Sequence, residues 1–98
     1  LEIFACPAPL SRKLEKKIKD VAQAAFRALR CRDWCRIDIR LDESGEPHIL
    51  ELNPLPGILP DPAANSCFPK AARTAGISYD ELINRVLEIA CRRVGLWV

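Results

Sequence analysis

Apolar residues recur along this chain with two different periods, which predict two kinds of secondary structure. Between Arg12 and about Leu29 they follow the three-to-four spacing of an amphipathic helix, at Leu14, Ile18, Val21, Ala25 and Leu29. Ser11 stands immediately before this segment, and we expect its side chain to cap the helix. Between Arg36 and Asn53 the pattern changes to alternation in two short runs, which is typical of strands with one solvated face.

Shorter elements are predicted around these segments. Residues 1–6 are expected to form a strand, and residues 69–74 a short helix that stops at Gly76. Ser78 and Glu81 form a capping box that opens a longer helix, whose predicted buried stripe is Leu82, Ile83, Val86, Leu87 and Ala90. The proline-rich segment before residue 66 is expected to be an irregular loop that packs against other residues. Together these elements predict an α+β fold, an antiparallel sheet with flanking helices.

An antiparallel hairpin is predicted by two alternating runs, RIDIRL and PHILELN, on either side of a polar DESGE turn. A turn centred on the Ser-Gly pair places Asp38 opposite Glu51 and Arg36 opposite Asn53. Because successive side chains of a strand point to opposite faces, Ile49 is expected on the same face as Glu51 and Asn53. The four residues of these two pairs therefore share one face of the predicted hairpin, whereas His48, Leu50 and Leu52 are expected on the other face.

The polar face of the hairpin has the composition of a metal-nucleotide site. Asp38 and Glu51 would be facing carboxylates with Cβ atoms about 5 Å apart, and a divalent cation would remove their repulsion. Mg²⁺ takes oxygen ligands and fills its other positions with water and substrate phosphates, and the Asn53 amide oxygen lies within reach of a second ion. The alternative is a polar face that is merely solvated. Glu51 favours the metal site because it lies in an apolar run, where an unpaired carboxylate is costly to bury.

The hairpin and the segments after it carry a joint pattern: R-I-D from Arg36, E-L-N from Glu51, then P-L-P-G and, later, S-C-F-P-K-A-A from Ser66. Each motif is weak alone, but their joint spacing resembles the metal-binding end of the ATP-grasp ligases and, among them, the D-alanyl-D-alanine ligase family. The resemblance covers residues 1–93 or so. It implies that the chain is the C-terminal part of an ATP-grasp fold.

Members of this family use ATP to phosphorylate the carboxylate of one D-alanine, and the amine of a second D-alanine attacks the acyl phosphate. By this resemblance, Asp38, Glu51 and Asn53 hold a pair of Mg²⁺ or Mn²⁺ ions, with Glu51 bridging both. Arg36 is implied to contact the transferred phosphoryl group and the tetrahedral intermediate. The implied function is peptidoglycan precursor synthesis by a cytoplasmic ligase that takes ATP and amino acids as substrates.

The resemblance also assigns two residues after the hairpin. The Gly57 N–H is implied to lie near the developing oxyanion, and Ser66 to bind the carboxylate of the second amino acid. More residues separate Gly57 from Ser66 than in the best-known ligases, and Pro54 stands where many members have Thr or Ser. Both departures fall on the acceptor side and put the second substrate in question. The alternatives are a plain turn glycine at Gly57 and a helix cap at Ser66.

Composition changes the picture mainly by suggesting a fragment. The chain has 98 residues, 49% of them hydrophobic, which suits a single domain over residues 1–98 with a modest core. It has no methionine, so we expect an excised piece of a larger ligase, called the parent below. ATP-grasp enzymes clamp the nucleotide between two subdomains, so the piece alone is expected to be inactive. The remaining subdomains of the parent are its expected partners, and a homodimeric parent is a further expectation.

Charge and cysteine content argue against several other classes of protein. The net charge of +2 gives no argument for nucleic-acid binding, and no apolar run approaches the length of a membrane span. The five cysteines form no paired framework and suit a reducing cytoplasm. Cys31 and Cys35 have one residue more between them than the C-x-x-C of redox and zinc sites.

Two other functions stay open at this point. The first is an ATP-grasp amino-acid ligase with a different acceptor, and the second is a non-catalytic α+β interaction module. Metal binding separates the module from the ligases, and phosphate release against a panel of amino acids separates the acceptors.

Overall fold

The computed structural model of the chain describes residues 5–64 and 66–96. Its contacts divide the chain into two compact units, Pro9–Leu55 in one and Leu1–Ala8 with Pro56–Val98 in the other. The single domain over residues 1–98 stays a prediction. The strand expected at residues 1–6 lies mostly outside the described residues, and Ala5 and Cys6 are not in a strand.

The Pro9–Leu55 unit contains one helix and the hairpin. The helix α1 spans Arg12–Ala28, and the strands β1 and β2 span Arg36–Leu41 and Pro47–Asn53. The Ser11 hydroxyl accepts a hydrogen bond of 3.1 Å from the backbone N–H of Leu14, which confirms the predicted cap. Helix α1 packs on β2. The predicted stripe is half-buried along the helix, whereas its last member, Leu29, follows the helix end and is exposed.

The register of the hairpin places the polar pairs as predicted at the open end of the hairpin. Asp38 pairs with Glu51, and Arg36 pairs with Asn53. A β-bulge then shifts the register by one residue, so that Ile39 pairs with Ile49 and Leu50 is the extra residue.

The bulge corrects the expected faces of β2. Directly opposed residues share a face, so Ile49 lies on the apolar face with Ile39, not on the face of Glu51. Leu50 is 65% exposed. The apolar run around Glu51 therefore does not bury this carboxylate, whose side chain is 62% exposed.

The turn differs from the two-residue turn expected from the Ser-Gly pair. Asp42 and Glu46 close a three-residue loop, with the Asp42 N–H donating to the Glu46 carbonyl at 2.9 Å. Gly45 has a φ of 83° and donates from its N–H to the Asp42 carbonyl at 3.0 Å. This is the pattern of a type I turn followed by a left-handed glycine. The extra turn residue is offset by the bulge, which restores the predicted register beside Asp38.

The second unit contains two helices that contact each other, α2 (Cys67–Thr74) and α3 (Tyr79–Val94). Helix α2 begins two residues earlier than predicted, because Ser66 takes the extended N-cap conformation and a proline is tolerated in the first turn. The Ser78 hydroxyl accepts a hydrogen bond of 3.1 Å from the Glu81 N–H, as the capping box predicts.

The buried face of α3 differs from the predicted stripe at one position. Leu82 is buried, and Ile83, Val86 and Ala90 are half-buried as predicted, but Leu87 is 50% exposed. Pro69 of α2 is almost fully buried. Three helices and a two-stranded antiparallel sheet in the described residues confirm the α+β class. Among these residues, no helix has both the length and the apolar character needed to span a membrane.

Candidate functional sites

The guanidinium of Arg36 joins the two carboxylates of the hairpin. Its Nε and Nη2 donate to Oδ1 and Oδ2 of Asp38 at 3.0 and 3.1 Å, and Nη2 also donates to Oε1 of Glu51 at 3.2 Å. The strand register forces this meeting, since Asp38 and Glu51 are directly opposed and Arg36 lies one strand dyad away on the same face. Three of the predicted site residues are therefore in contact.

Asn53 supplies an amide oxygen on the same face. It pairs with Arg36 across the sheet, and its Oδ1 accepts a hydrogen bond of 3.1 Å from the N–H of Leu55. An amide oxygen has two lone pairs, so one stays available for a cation. No group of three or more His, Cys, Asp and Glu side chains suited to a metal occurs in the part of the chain that the structure describes. The candidate set is instead two carboxylates and one amide oxygen.

This donor set fits Mg²⁺ in chemistry. Mg²⁺ is a hard ion that is bound through one or two carboxylates, with water and phosphate oxygens completing its shell. Arg36 offsets one of the two negative charges of Asp38 and Glu51. The two ion pairs are partly or largely exposed, and such pairs are worth about 0.2 to 1 kcal/mol. A divalent ion can therefore compete with Arg36 for the two carboxylates.

The thiol of Cys35 lies beside Asn53. Burial raises the pKa of this thiol, the neighbouring Cys31 thiol raises it further, and a hydrogen bond with the backbone of Asn53 opposes the rise. A raised pKa keeps the thiol protonated, which gives it the properties of a structural cysteine. All five cysteines are free, as their spacing predicts.

Asp42 organises the turn at the other end of the hairpin. Its Oδ1 accepts hydrogen bonds from the Ser44 hydroxyl at 2.7 Å and from the N–H groups of Ser44 and Glu46, each at 2.9 Å. Its Oδ2 lies 2.8 Å from Nε2 of His48. The Ser44 hydroxyl, His48 and the Glu46 N–H hold the pKa of Asp42 well below its usual range. These are local turn contacts, which suit a structural role.

Gly57 and Ser66, the two site residues predicted after the hairpin, are in contact with each other. The Ser66 hydroxyl donates to the Gly57 carbonyl at 3.2 Å and accepts from the Leu59 N–H at 3.2 Å. Ser66 is 7% exposed and makes no side-chain hydrogen bond to helix α2. Its side chain therefore braces the loop. Ser66 is also the N-cap residue of α2, as the alternative has it, but its hydroxyl makes no capping hydrogen bond.

The glycine at position 57 is not required by the described fold. Its φ is not in the left-handed region, and a Cβ built on it would meet no atom within 4 Å. A turn glycine is needed where φ is positive, as at Gly45. Gly57 is exposed, and in the described residues no hydrogen bond to its N–H is found. Open space beside a free N–H is what close approach of a substrate needs.

Two further side chains hold this loop, and the sequence did not predict their contacts. The Tyr79 hydroxyl donates to the Ile58 carbonyl at 2.7 Å, and Nη2 of Arg73 donates to the Pro60 carbonyl at 3.0 Å. Neither contact follows from hydrophobic periodicity, because irregular backbone has no repeat from which a partner can be predicted.

Comparison with known proteins gives the class of this chain. A family model described as "D-ala D-ala ligase C-terminus" matches residues 2–88, and the α+β fold agrees with a C-terminal ATP-grasp domain. The chain belongs to the D-alanyl-D-alanine ligase family, as the hairpin and loop motifs predict.

Individual relatives match most of the chain. A D-alanine–D-alanine ligase of Nitrosomonas eutropha is 42% identical over 88 residues, which is 90% of this chain and 28% of that protein. The ligase of Cupriavidus metallidurans is 40% identical over 87 residues, 89% of this chain and 25% of that protein. An uncharacterized protein of Sinorhizobium fredii is 47% identical over 88 residues, 90% of this chain and 25% of that protein. The chain thus spans about a quarter of the length of these relatives.

Proposed function

We propose that this chain supplies the Mg-ATP and acyl-phosphate site of a cytoplasmic ligase that joins two D-alanines for peptidoglycan synthesis. The observation that carries the proposal is the pair of opposed carboxylates, Asp38 and Glu51, held with Arg36 on one face of the hairpin. A solvated face needs no such pairing of like charges, because directly opposed carboxylates destabilise a hairpin.

Asp38, Glu51 and Asn53 are the residues that would hold the metal ions. When bound, Mg²⁺ neutralises charge on the phosphoryl group during its transfer. Glu51 would have an oxygen available to metal, because its side chain is the more exposed of the two carboxylates and only its Oε1 is paired with Arg36. The family resemblance implies that Glu51 would be the ligand shared by both ions. With metal bound to the carboxylates, the Arg36 guanidinium would be available to donate to the phosphoryl oxygens.

The loop would serve the acceptor. The N–H of Gly57 would donate to the developing oxyanion, which requires that substrate approach the backbone closely. Ser66 would contribute to binding of the acceptor carboxylate.

One observation favours a different acceptor as the second candidate function. The Ser66 hydroxyl has a single proton, and it donates that proton to the Gly57 carbonyl. To donate to an acceptor carboxylate, Ser66 would have to break this contact. The loop from Gly57 to Ser66 is also longer than in the best-known ligases, so a different amino acid can be the natural acceptor.

The test is an assay of the parent with Mg-ATP and a panel of amino acids, following phosphate release and dipeptide formation. We expect phosphate release to depend on D-alanine and to match D-alanyl-D-alanine formed. Stimulation by another acceptor alone would identify the second candidate, and phosphate release indifferent to every amino acid would refute a ligase. The 98-residue chain assayed alone should show no turnover, because positioning of the nucleotide requires the other subdomains.

A further inference from the structure

Three side chains from later in the sequence hold the backbone of the proline-rich loop. Three carbonyls, those of Gly57, Ile58 and Pro60, each accept a hydrogen bond from a side chain. The donors are Ser66, Tyr79 and Arg73, and the shortest contact, 2.7 Å, is the one from Tyr79. An irregular loop without backbone ladder bonds is thereby given a defined conformation.

Two of these donors belong to helices. Arg73 lies in the last turn of α2, and Tyr79 is the first residue of α3, directly after its N-cap Ser78. Both side chains are half-buried, and α2 and α3 contact each other. Donors fixed on packed helices position a loop more accurately than donors on the loop itself.

We propose that Tyr79 and Arg73 are positioning residues that fix the Ile58 and Pro60 carbonyls and so aim the Gly57 N–H at the reacting carboxyl group. This inference rests on the proposed function, since it assigns the two residues to the acceptor-side loop of the ligase. They act through the backbone and contact no substrate. Their chemical task is to keep one N–H donor in place, because a small misplacement of a catalytic group costs much of the rate.

The matched variants separate this role from general stabilisation. Tyr79→Phe removes only the hydroxyl that donates to Ile58 and keeps the ring. Arg73→Ala removes the donor to Pro60, and Arg73→Lys keeps a donor at the same place. Thr74→Val is the control, because the Thr74 hydroxyl also donates to a carbonyl in this unit, but to Lys70 within helix α2.

The experiment measures steady-state kinetics of the parent for each variant, with thermal unfolding beside them. We expect Tyr79→Phe and Arg73→Ala to lower kcat for dipeptide formation by about tenfold, with the KM for ATP unchanged. Arg73→Lys should recover most of the loss, and Thr74→Val should behave as wild type. An unchanged kcat for Tyr79→Phe would overturn the inference. A change in the KM for ATP as large as the change in kcat, together with a lowered Tm, would also overturn it, because that result indicates a merely structural role.

Hydrogen exchange of the parent gives a readout that is independent of activity. Amides of the loop around Ile58 should exchange faster in Tyr79→Phe than in wild type, while amides of helix α3 should keep their protection. Loop exchange equal to that of wild type would show that Tyr79 does not hold the loop. If the loop loosens but wild-type parent has no amino-acid-dependent activity, the proposed function fails while the bracing contact stands.

Discussion

At the scale of single residues, one guanidinium reduces the repulsion between two carboxylates by donating hydrogen bonds to both. Arg36 donates to both Asp38 and Glu51, and the three side chains occupy one face of the hairpin. Because each of these pairs is at least partly exposed, its net contribution to stability is small. The arrangement is therefore better suited to exchanging one cation for another than to holding the fold together.

Metal binding by this face can be measured on the chain itself. We expect Mn²⁺ to bind weakly and to broaden NMR signals of the hairpin, and Glu51→Gln to reduce the broadening because it removes one of the facing negative charges. Glu43→Gln is the matched control, since it removes the same charge from the exposed turn. Equal broadening in wild type and Glu51→Gln would favour a non-catalytic module.

Asp42 leads to a prediction about pH. Its pKa is held below the usual value by the Ser44 hydroxyl, by His48 and by the Glu46 N–H, so the folded state favours the ionised form. That stabilisation is present above the ordinary Asp pKa of about 4 and is lost as the pH falls below it toward the lowered folded value. Thermal unfolding should therefore show a smaller loss of Tm on acidification in Asp42→Asn than in wild type. Identical acid profiles would contradict this assignment.

At the scale of elements, the glycines divide by what their backbone requires. Gly95 ends helix α3 with a φ of 76°, a left-handed conformation that costs an L residue about 1 to 2 kcal/mol. Gly57 has no such conformation and no neighbour that a methyl group would meet. The need for glycine at position 57 thus lies outside the described fold.

A pair of alanine substitutions tests this division. Gly95→Ala should lower the free energy of unfolding, measured with urea, by about 1 to 2 kcal/mol. Gly57→Ala should leave stability unchanged or raise it by up to about 1 kcal/mol, because alanine restricts the unfolded chain. In the parent, Gly57→Ala should nevertheless slow dipeptide formation. A large loss of stability in Gly57→Ala would instead indicate a structural glycine.

The sequence predicted those features of the helices and strands that depend on hydrophobic periodicity or on a local motif. The caps Ser11 and Ser78, and the pairing of Asp38 with Glu51, are of this kind. The bulge at Leu50 was not predicted, because the assumed alternation has a fixed period of two and gives no signal for an inserted residue. The predicted pairing of Asp38 with Glu51 was nevertheless correct. The longer turn shifts the register by one residue, and the bulge shifts it back.

The loop contacts could not be predicted for a different reason. Tyr79 and Arg73 lie far along the chain from the carbonyls that they hold, and no local signal links them. Periodicity likewise assigns an apolar residue to a face but does not show what covers that face. Leu87 therefore counts as core by its spacing although it is half exposed.

At the scale of the whole molecule, the chain is short compared with the ligases that it resembles. It covers about a quarter of the length of its ligase relatives, and Leu82 is the buried aliphatic residue among the described ones. Small domains bury a limited share of their apolar surface, so the stability of this chain alone is expected to be modest. Its proposed chemistry depends on a nucleotide held also by other subdomains, and for that reason the decisive rates are those of the parent.

The most direct measurement compares phosphate release by three variants of the parent at saturating Mg²⁺ and ATP, with circular dichroism confirming folding. Glu51→Gln should lose about 100-fold or more and Asn53→Ala about tenfold, since loss of even an outer partner of a metal costs about 10- to 100-fold. Asp42→Asn should stay close to the wild-type rate because Asp42 serves only the turn. Near wild-type phosphate release by Glu51→Gln, or its abolition by Asp42→Asn, would contradict a metal site on the hairpin.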